Sequence, residues 1–219
     1  MKKGEVILKF LEERYGDKIR KFPKLSPFQL LITTILSQRT KDENTRKASR
    51  RLFSIAKTPE KILKIPEKKL RKIIRPSGFY KQKSKVIRKV CKILLEKYKG
   101  KVPEDRDELM KLPGVGYKTS AIVLMYGFNK PIIAIDTHCN RISKRLGLAP
   151  PNANVEEVRK SLEKIFPKGK WYLVNLGFVN FGKEICKPIN PKCNACPFKS
   201  FCPHSKLSRN HIQFEKVVT

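Results

Sequence analysis

The chain has 219 residues, 40% of them apolar, enough to build a core in one large domain or two small ones. Fifty Lys and Arg stand against 19 Asp and Glu, a formal net charge of +31, and such a surface attracts polyanions such as nucleic acid. No stretch approaches the roughly 20 apolar residues that span a bilayer, and Glu12, Glu13 and Arg14 interrupt the start too early for a signal peptide.

Helical patterns dominate in chain order. Val6, Ile7, Phe10 and Leu11 recur at helical spacing, and Gly16 is expected to close that segment. Ser26-Pro27-Phe28-Gln29 reads as a capping box with proline at the first helical position. Asp42 is placed to cap a helix through about Ala56, Thr58-Pro59-Glu60 starts another, and Pro66 begins a third that Pro76-Ser77-Gly78 ends. Lys81–Tyr98 is a long, basic, amphipathic helix. A short helix over Asp107–Lys111 and a longer one over Tyr117–Phe128 flank a tight turn. Ile132-Ile133-Ala134-Ile135 has a strand-like composition but no partner of its kind, so it reads as a buried connection. Asp136 or Thr137 caps a helix ending at Gly147, and Val155–Phe166 and Trp171–Phe181 complete an all-α pattern. The tail from about Ser208 is expected to be loose.

The turn Leu112-Pro113-Gly114-Val115-Gly116-Tyr117-Lys118 carries the most chemistry. Two glycines let a partner approach bare backbone. The amides that open a helix have no acceptor within it and lie at its positive dipole end, which suits a phosphate. Lys118 follows two residues later. A phosphate-gripping turn with a built-in amine points to chemistry on the sugar of a DNA backbone.

Cys186, Cys193, Cys196 and Cys202 are spaced C-x6-C-x2-C-x5-C, with Pro188, Pro191 and Pro197 stiffening the loops. In a reducing compartment four such thiols suggest metal rather than disulfides. By ligand count zinc and an iron–sulfur cluster fit equally, although a single close C-x2-C pair leans toward a cluster. Cys91 lies in an apolar helical pattern and reads as a buried thiol.

Three elements together resemble the endonuclease III family of helix-hairpin-helix DNA glycosylases. They are Leu112–Thr119 with Ala121, Ile135-Asp136-Thr137-His138 with Arg141, and the cysteine quartet. Further similarity lies in Phe28–Asp42, Gly78-Phe79-Tyr80 and Val102-Pro103-Glu104-Asp105. The resemblance implies an all-α fold of two domains with a cleft between them: a helical barrel over 22–130, and a cluster domain made of 1–21 and 131–219. It implies a 4Fe–4S cluster on Cys186, Cys193, Cys196 and Cys202, and Lys118 facing Asp136 across the cleft. The implied activity is base excision repair. Lys118 displaces a damaged pyrimidine as nucleophile, and β-elimination through the lysine Schiff base then cuts the abasic strand. Asp136 serves as the acid–base and electrostatic group, while His138 supports structure.

The implied partner is double-stranded DNA with damaged bases or abasic sites, bound by a monomer in the cytoplasm at the nucleoid, with no membrane contact. Gly114, Val115 and Gly116 would hold a phosphate by backbone amides, with Thr119 adding a hydroxyl. The residue that fills the vacated base stack is often glutamine in the family. Ungapped alignment puts Arg39 there with Gln38 just before it, so both are candidates and the opposite-base preference stays open. Mismatch thymine, uracil or adenine glycosylases of the same superfamily are the enzyme alternatives. A non-catalytic, DNA-binding redox sensor is the rival from another class, and it has no need of Lys118 and Asp136 together.

Overall fold

The computed structural model describes residues 2–20 and 25–205, and among them every regular element is helical. The chain divides into two units, one of Pro23–Ile132 and one of Met1–Phe22 with Ile133–Thr219. The expected boundary between residues 21 and 22 and the tail from Ser208 lie outside the described residues.

The first helix, α1 (Lys3–Arg20), runs through Gly16 instead of stopping there. Ile7, Leu11, Tyr15 and Ile19 form one buried stripe at four-residue spacing that continues past the glycine. Burying such side chains contributes about 1.5–3 kcal/mol each, which outweighs the roughly 1 kcal/mol cost of an interior glycine.

The 23–132 unit holds the next seven helices. The capping box of α2 (Pro27–Ser37) forms as expected: Gln29 N donates to Ser26 Oγ at 3.2 Å and Ser26 N to Gln29 Oε1 at 3.1 Å. In α3 (Asp42–Phe53) Lys41, not Asp42, holds the cap position, and the helix stops at Phe53 short of Ala56. Asp42 and Glu43 instead sit in the first turn, where a carboxylate favours the positive dipole end. Thr58 caps α4 (Pro59–Leu63), and α5 (Glu67–Ile74) runs into a 3-10 turn, Arg75–Ser77, closed by left-handed Gly78 (φ 61°). Then come α6 (Tyr80–Tyr98) and α7 (Arg106–Met110), whose Asp105 cap accepts from Asp107 N and Glu108 N. The last, α8 (Tyr117–Ile122), passes into a π-helical turn, Val123–Gly127. Its far end lies close on α2, since a Cβ on Gly127 would stand 3.2 Å from Pro27 Cα. Leu31, Ile35, Leu52, Ile62, Leu70, Ile87, Leu94 and Leu109 are at most 1% exposed and form the unit's core.

The other unit resumes at Ile133-Ala134-Ile135, a buried connection with no strand. It carries α9 (Thr137–Arg145), α10 (Val155–Ile165) and α11 (Trp171–Glu184). Asn154 and Glu157 make a second capping box at α10. Against α11 pack α1 and α9. Both crossings need glycine on α11: a Cβ on Gly177 would stand 3.0 Å from both Leu11 Cδ atoms, and one on Gly182 would run into His138 Nδ1.

Candidate functional site

The hairpin between α7 and α8 is anchored from below. Leu112 and Val115 are 2% and 6% exposed, and Val115 N donates to Leu112 O at 3.1 Å. Val115 thus turns its side chain inward, and its amide is engaged within the turn. Gly114 is exposed with φ 75°, a left-handed conformation that favours glycine. Gly116 differs. Its backbone is extended (φ −103°, ψ −172°), and a Cβ there would meet nothing within 4 Å. As N-cap of α8 the position favours glycine, while no packing within the chain requires one there. Gly116 has no side chain with which to cap that first turn.

Lys118 is exposed on the first turn of α8. Thr119, Ser120 and Ala121 beside it are buried, Thr119 at 6%. The helix turns the side chain of Thr119, the residue expected to add a hydroxyl, into the unit while Lys118 stays out.

Two more turns adjoin the hairpin. The Gln38 amide donates from Nε2 to Gly114 O at 2.7 Å, tying the loop after α2 to the glycine turn. Arg39 is left-handed (φ 52°) and exposed, and its guanidinium lies over the Phe79 ring at 4.9 Å. Phe79 is itself left-handed (φ 45°) and 54% exposed. Gln38, Arg39, Phe79, Gly114 and Gly116 thus belong to neighbouring turns of one unit. Sequence reasoning gave Phe79 no role of its own. Its signal is a large aromatic directly after the Gly78 that ends a turn.

Asp136 lies in the other unit. It is 9% exposed and caps α9, its Oδ1 accepting from Cys139 N at 2.8 Å. Two residues upstream, Asn175 Nδ2 donates to Ala134 O at 2.6 Å and lies 3.4 Å from Cys139 Sγ, so a buried amide pins the connection that delivers the carboxylate. His138 packs over Gly182, with Nδ1 3.2 Å from Arg141 Nη2, as a supporting side chain would.

The C-terminal part of α9 holds the cysteine segment. Arg141 Nη2 donates to Cys186 O at 2.9 Å. Arg145 donates to Lys187 O at 2.6 Å and Pro188 O at 2.8 Å, with Nη1 3.6 Å from Cys186 Sγ. Cys186, Cys193, Cys196 and Cys202 line one recess with Phe181 and Arg145, and none is in a disulfide. Among the described residues no group of three or more His, Cys, Asp or Glu side chains stands arranged to hold a metal ion. Burial, then the neighbouring cysteines Cys202 and Cys186, raise the Cys193 thiol, and burial pushes Cys196 up to about 11. A metal centre reverses that logic by binding the thiolates directly. The donor set, four sulfurs and no carboxylate, fits iron–sulfur or zinc chemistry.

The expected site residues therefore fall in two groups. Gln38, Arg39, Gly114, Val115, Gly116, Lys118 and Thr119 belong to the 23–132 unit, and Asp136 and the four expected metal ligands, the cysteines, to the other.

Comparison with known proteins places this arrangement. A family model described as HhH-GPD superfamily base excision DNA repair protein matches residues 32–168. The chain is 45% identical to endonuclease III of Thermotoga maritima over 196 residues, 88% of this chain and 92% of that one. It is 41% identical to endonuclease III of Bacillus subtilis over 177 residues, 81% of each chain. Among solved structures, a trapped endonuclease III–DNA covalent intermediate (an estranged-adenine complex) matches with a TM-score of 0.82 at 39% identity, covering 95% of this chain and 100% of that one. With the family's hairpin and cysteine quartet already in place, these likenesses mean that the chain belongs to the HhH-GPD superfamily of base excision DNA repair proteins and, within it, to the endonuclease III family of DNA glycosylases and AP lyases.

Proposed function

We propose that this enzyme excises oxidised pyrimidines from duplex DNA through Lys118 and then cuts the abasic strand. The observation that carries the reading is the exposed Lys118 amine directly after a glycine turn whose Gly116 faces open space. The Gly114–Gly116 backbone grips a phosphate, which brings the sugar of an extruded nucleotide to the amine. The neutral amine attacks C1′. The C1′–base bond breaks, its electron pair leaves with the base, and the base takes up a proton. The C1′–nitrogen adduct gives up an N–H proton, and its C1′–O4′ bond then opens, the electron pair going to O4′, which takes up a proton. The iminium so formed acidifies the C2′ proton, whose loss expels the 3′ phosphate. Asp136 stabilises the positive charge developing on the sugar and shuttles the amine's proton. The capping bond to Cys139 holds that carboxylate rigidly.

Gln38 and Arg39 fill the stack left by the extruded base. Cys186, Cys193, Cys196 and Cys202 hold a 4Fe–4S cluster, which supplies a structural clamp for the segment strapped to α9 by Arg141 and Arg145. The 23–132 unit corresponds to the family's helical barrel and the other unit to its cluster domain. The enzyme acts at the nucleoid. A relative has been trapped as a covalent intermediate with DNA, the kind of species a Lys118 imine would give.

Borohydride trapping on an abasic duplex tests the assignment. The chain should form a covalent adduct that Lys118→Gln does not, and normal cleavage by that variant refutes it. A panel of thymine glycol, dihydrouracil, mismatched uracil and 8-oxoguanine duplexes tests the substrate class. Preference for the first two is expected, and preference for a mismatch overturns it.

A further inference from the structure

Among the described residues one lysine differs from the rest. Lys83 is 6% exposed although it stands in the first turn of α6, where both burial and the helix dipole disfavour a cation. All three ammonium protons are engaged. Nζ donates to Leu36 O at 2.7 Å, Thr40 Oγ1 at 2.7 Å and Ser77 O at 2.8 Å. The acceptors are neutral oxygens, and burial lowers the amine to about 8. A methionine would fill the space without desolvating a charge, so core packing gives no reason for an amine here.

The three oxygens explain it. Leu36 O belongs to the last turn of α2, Thr40 to the loop after it, and Ser77 O to the turn before α6. The Thr40 hydroxyl also hydrogen-bonds to Ser77 O. Leu36 to Thr40 brackets Gln38 and left-handed Arg39, and Ser77 precedes left-handed Gly78 and Phe79. Lys83 thus fastens from within the two turns whose exposed side chains, Arg39 and Phe79, stack on the outside.

We infer that Lys83 is a positioning residue for lesion recognition: its buried ammonium locks the 37–41 loop to the 75–79 turn and so holds Gln38 and Arg39 in place to fill the vacated base stack. The inference rests on the proposed role of those two residues. The tether itself does not.

The test uses Lys83→Met in the full-length protein, with two readouts. Hydrogen exchange of the amides in 37–41 and 77–80 should speed up in the variant, and unchanged exchange overturns the tether whatever DNA does. Binding of a tetrahydrofuran abasic-analogue duplex should weaken about tenfold, the scale of a lost charge-assisted contact, while undamaged duplex changes less than about twofold. Lys92→Met, an exposed charge loss on the same helix, should leave the ratio of the two affinities unchanged. A double-mutant cycle with Gln38→Ala and Arg39→Ala should show non-additive losses, because Lys83 acts through that loop. Additive losses overturn the inference. If Gln38→Ala and Arg39→Ala keep lesion preference, the gap-filling role fails, and the positioning role falls with it while the exchange result still stands. Should Lys83→Met not fold, Thr40→Val removes one acceptor and keeps the shape. Wild-type exchange and lesion preference in that variant likewise overturn the proposal.

Discussion

Gly116 and Gly114 belong to one turn, yet alanine should act on them differently. At Gly116 the backbone is extended and a methyl meets nothing within 4 Å. Alanine there narrows the unfolded ensemble by about 0.4–1 kcal/mol but is a poorer N-cap than glycine by a similar amount. The two effects nearly cancel, so Tm should move by no more than about 4 °C for a chain of this length. DNA binding should not be spared. If a phosphate docks on this backbone, the methyl displaces a charge-assisted hydrogen bond worth about 1.5–3 kcal/mol, or about 10- to 150-fold in Kd. At Gly114, φ is 75° and a Cβ would stand 3.0 Å from Val86 Cγ1, so Gly114→Ala should lower Tm as well as affinity. The assay is fluorescence anisotropy on an abasic-analogue duplex at one fixed salt concentration, paired with thermal denaturation. Wild-type affinity in Gly116→Ala would refute the argument that the open space belongs to DNA.

Asp136→Asn should cut turnover by about 10²-fold or more while leaving Tm nearly unchanged, because asparagine can still cap Cys139 N; an unchanged rate in single-turnover assays reduces Asp136 to a cap. Purified protein should be yellow-brown with about four irons per chain, and a colourless protein with stoichiometric zinc rejects the cluster. Lys83 supplies a pH signature. Its amine is lowered to about 8 in the fold against 10.5 when unperturbed, so between those values the unfolded chain binds more protons and stability rises with pH. Relative to Lys83→Met, the wild type should therefore gain Tm from pH 8 to 10.5, and parallel curves would contradict the buried charge. Non-specific duplex affinity should fall steeply with salt, with log K against log salt sloping at about −0.9 per phosphate neutralised.

Local rules determined much of this protein from sequence alone. The Ser26 box, the Thr58 and Asp136 caps, the glycine turn and the all-helical pattern each depend on residues within a few positions of one another. Such short-range chemistry is legible in any context. The spacing of the cysteine quartet is likewise written along the chain. Tertiary structure decided the rest. It carried α1 through Gly16, since the burial that rewards Tyr15 and Ile19 comes from partners far along the sequence. It buried Thr119 while leaving Lys118 out, a matter of which helix face meets the core. It also picked one lysine of a strongly basic chain, Lys83, and gave it three oxygens from segments up to 47 residues away. In the sequence that lysine looks like its neighbours, because a side chain's burial depends on what folds over it and not on what adjoins it.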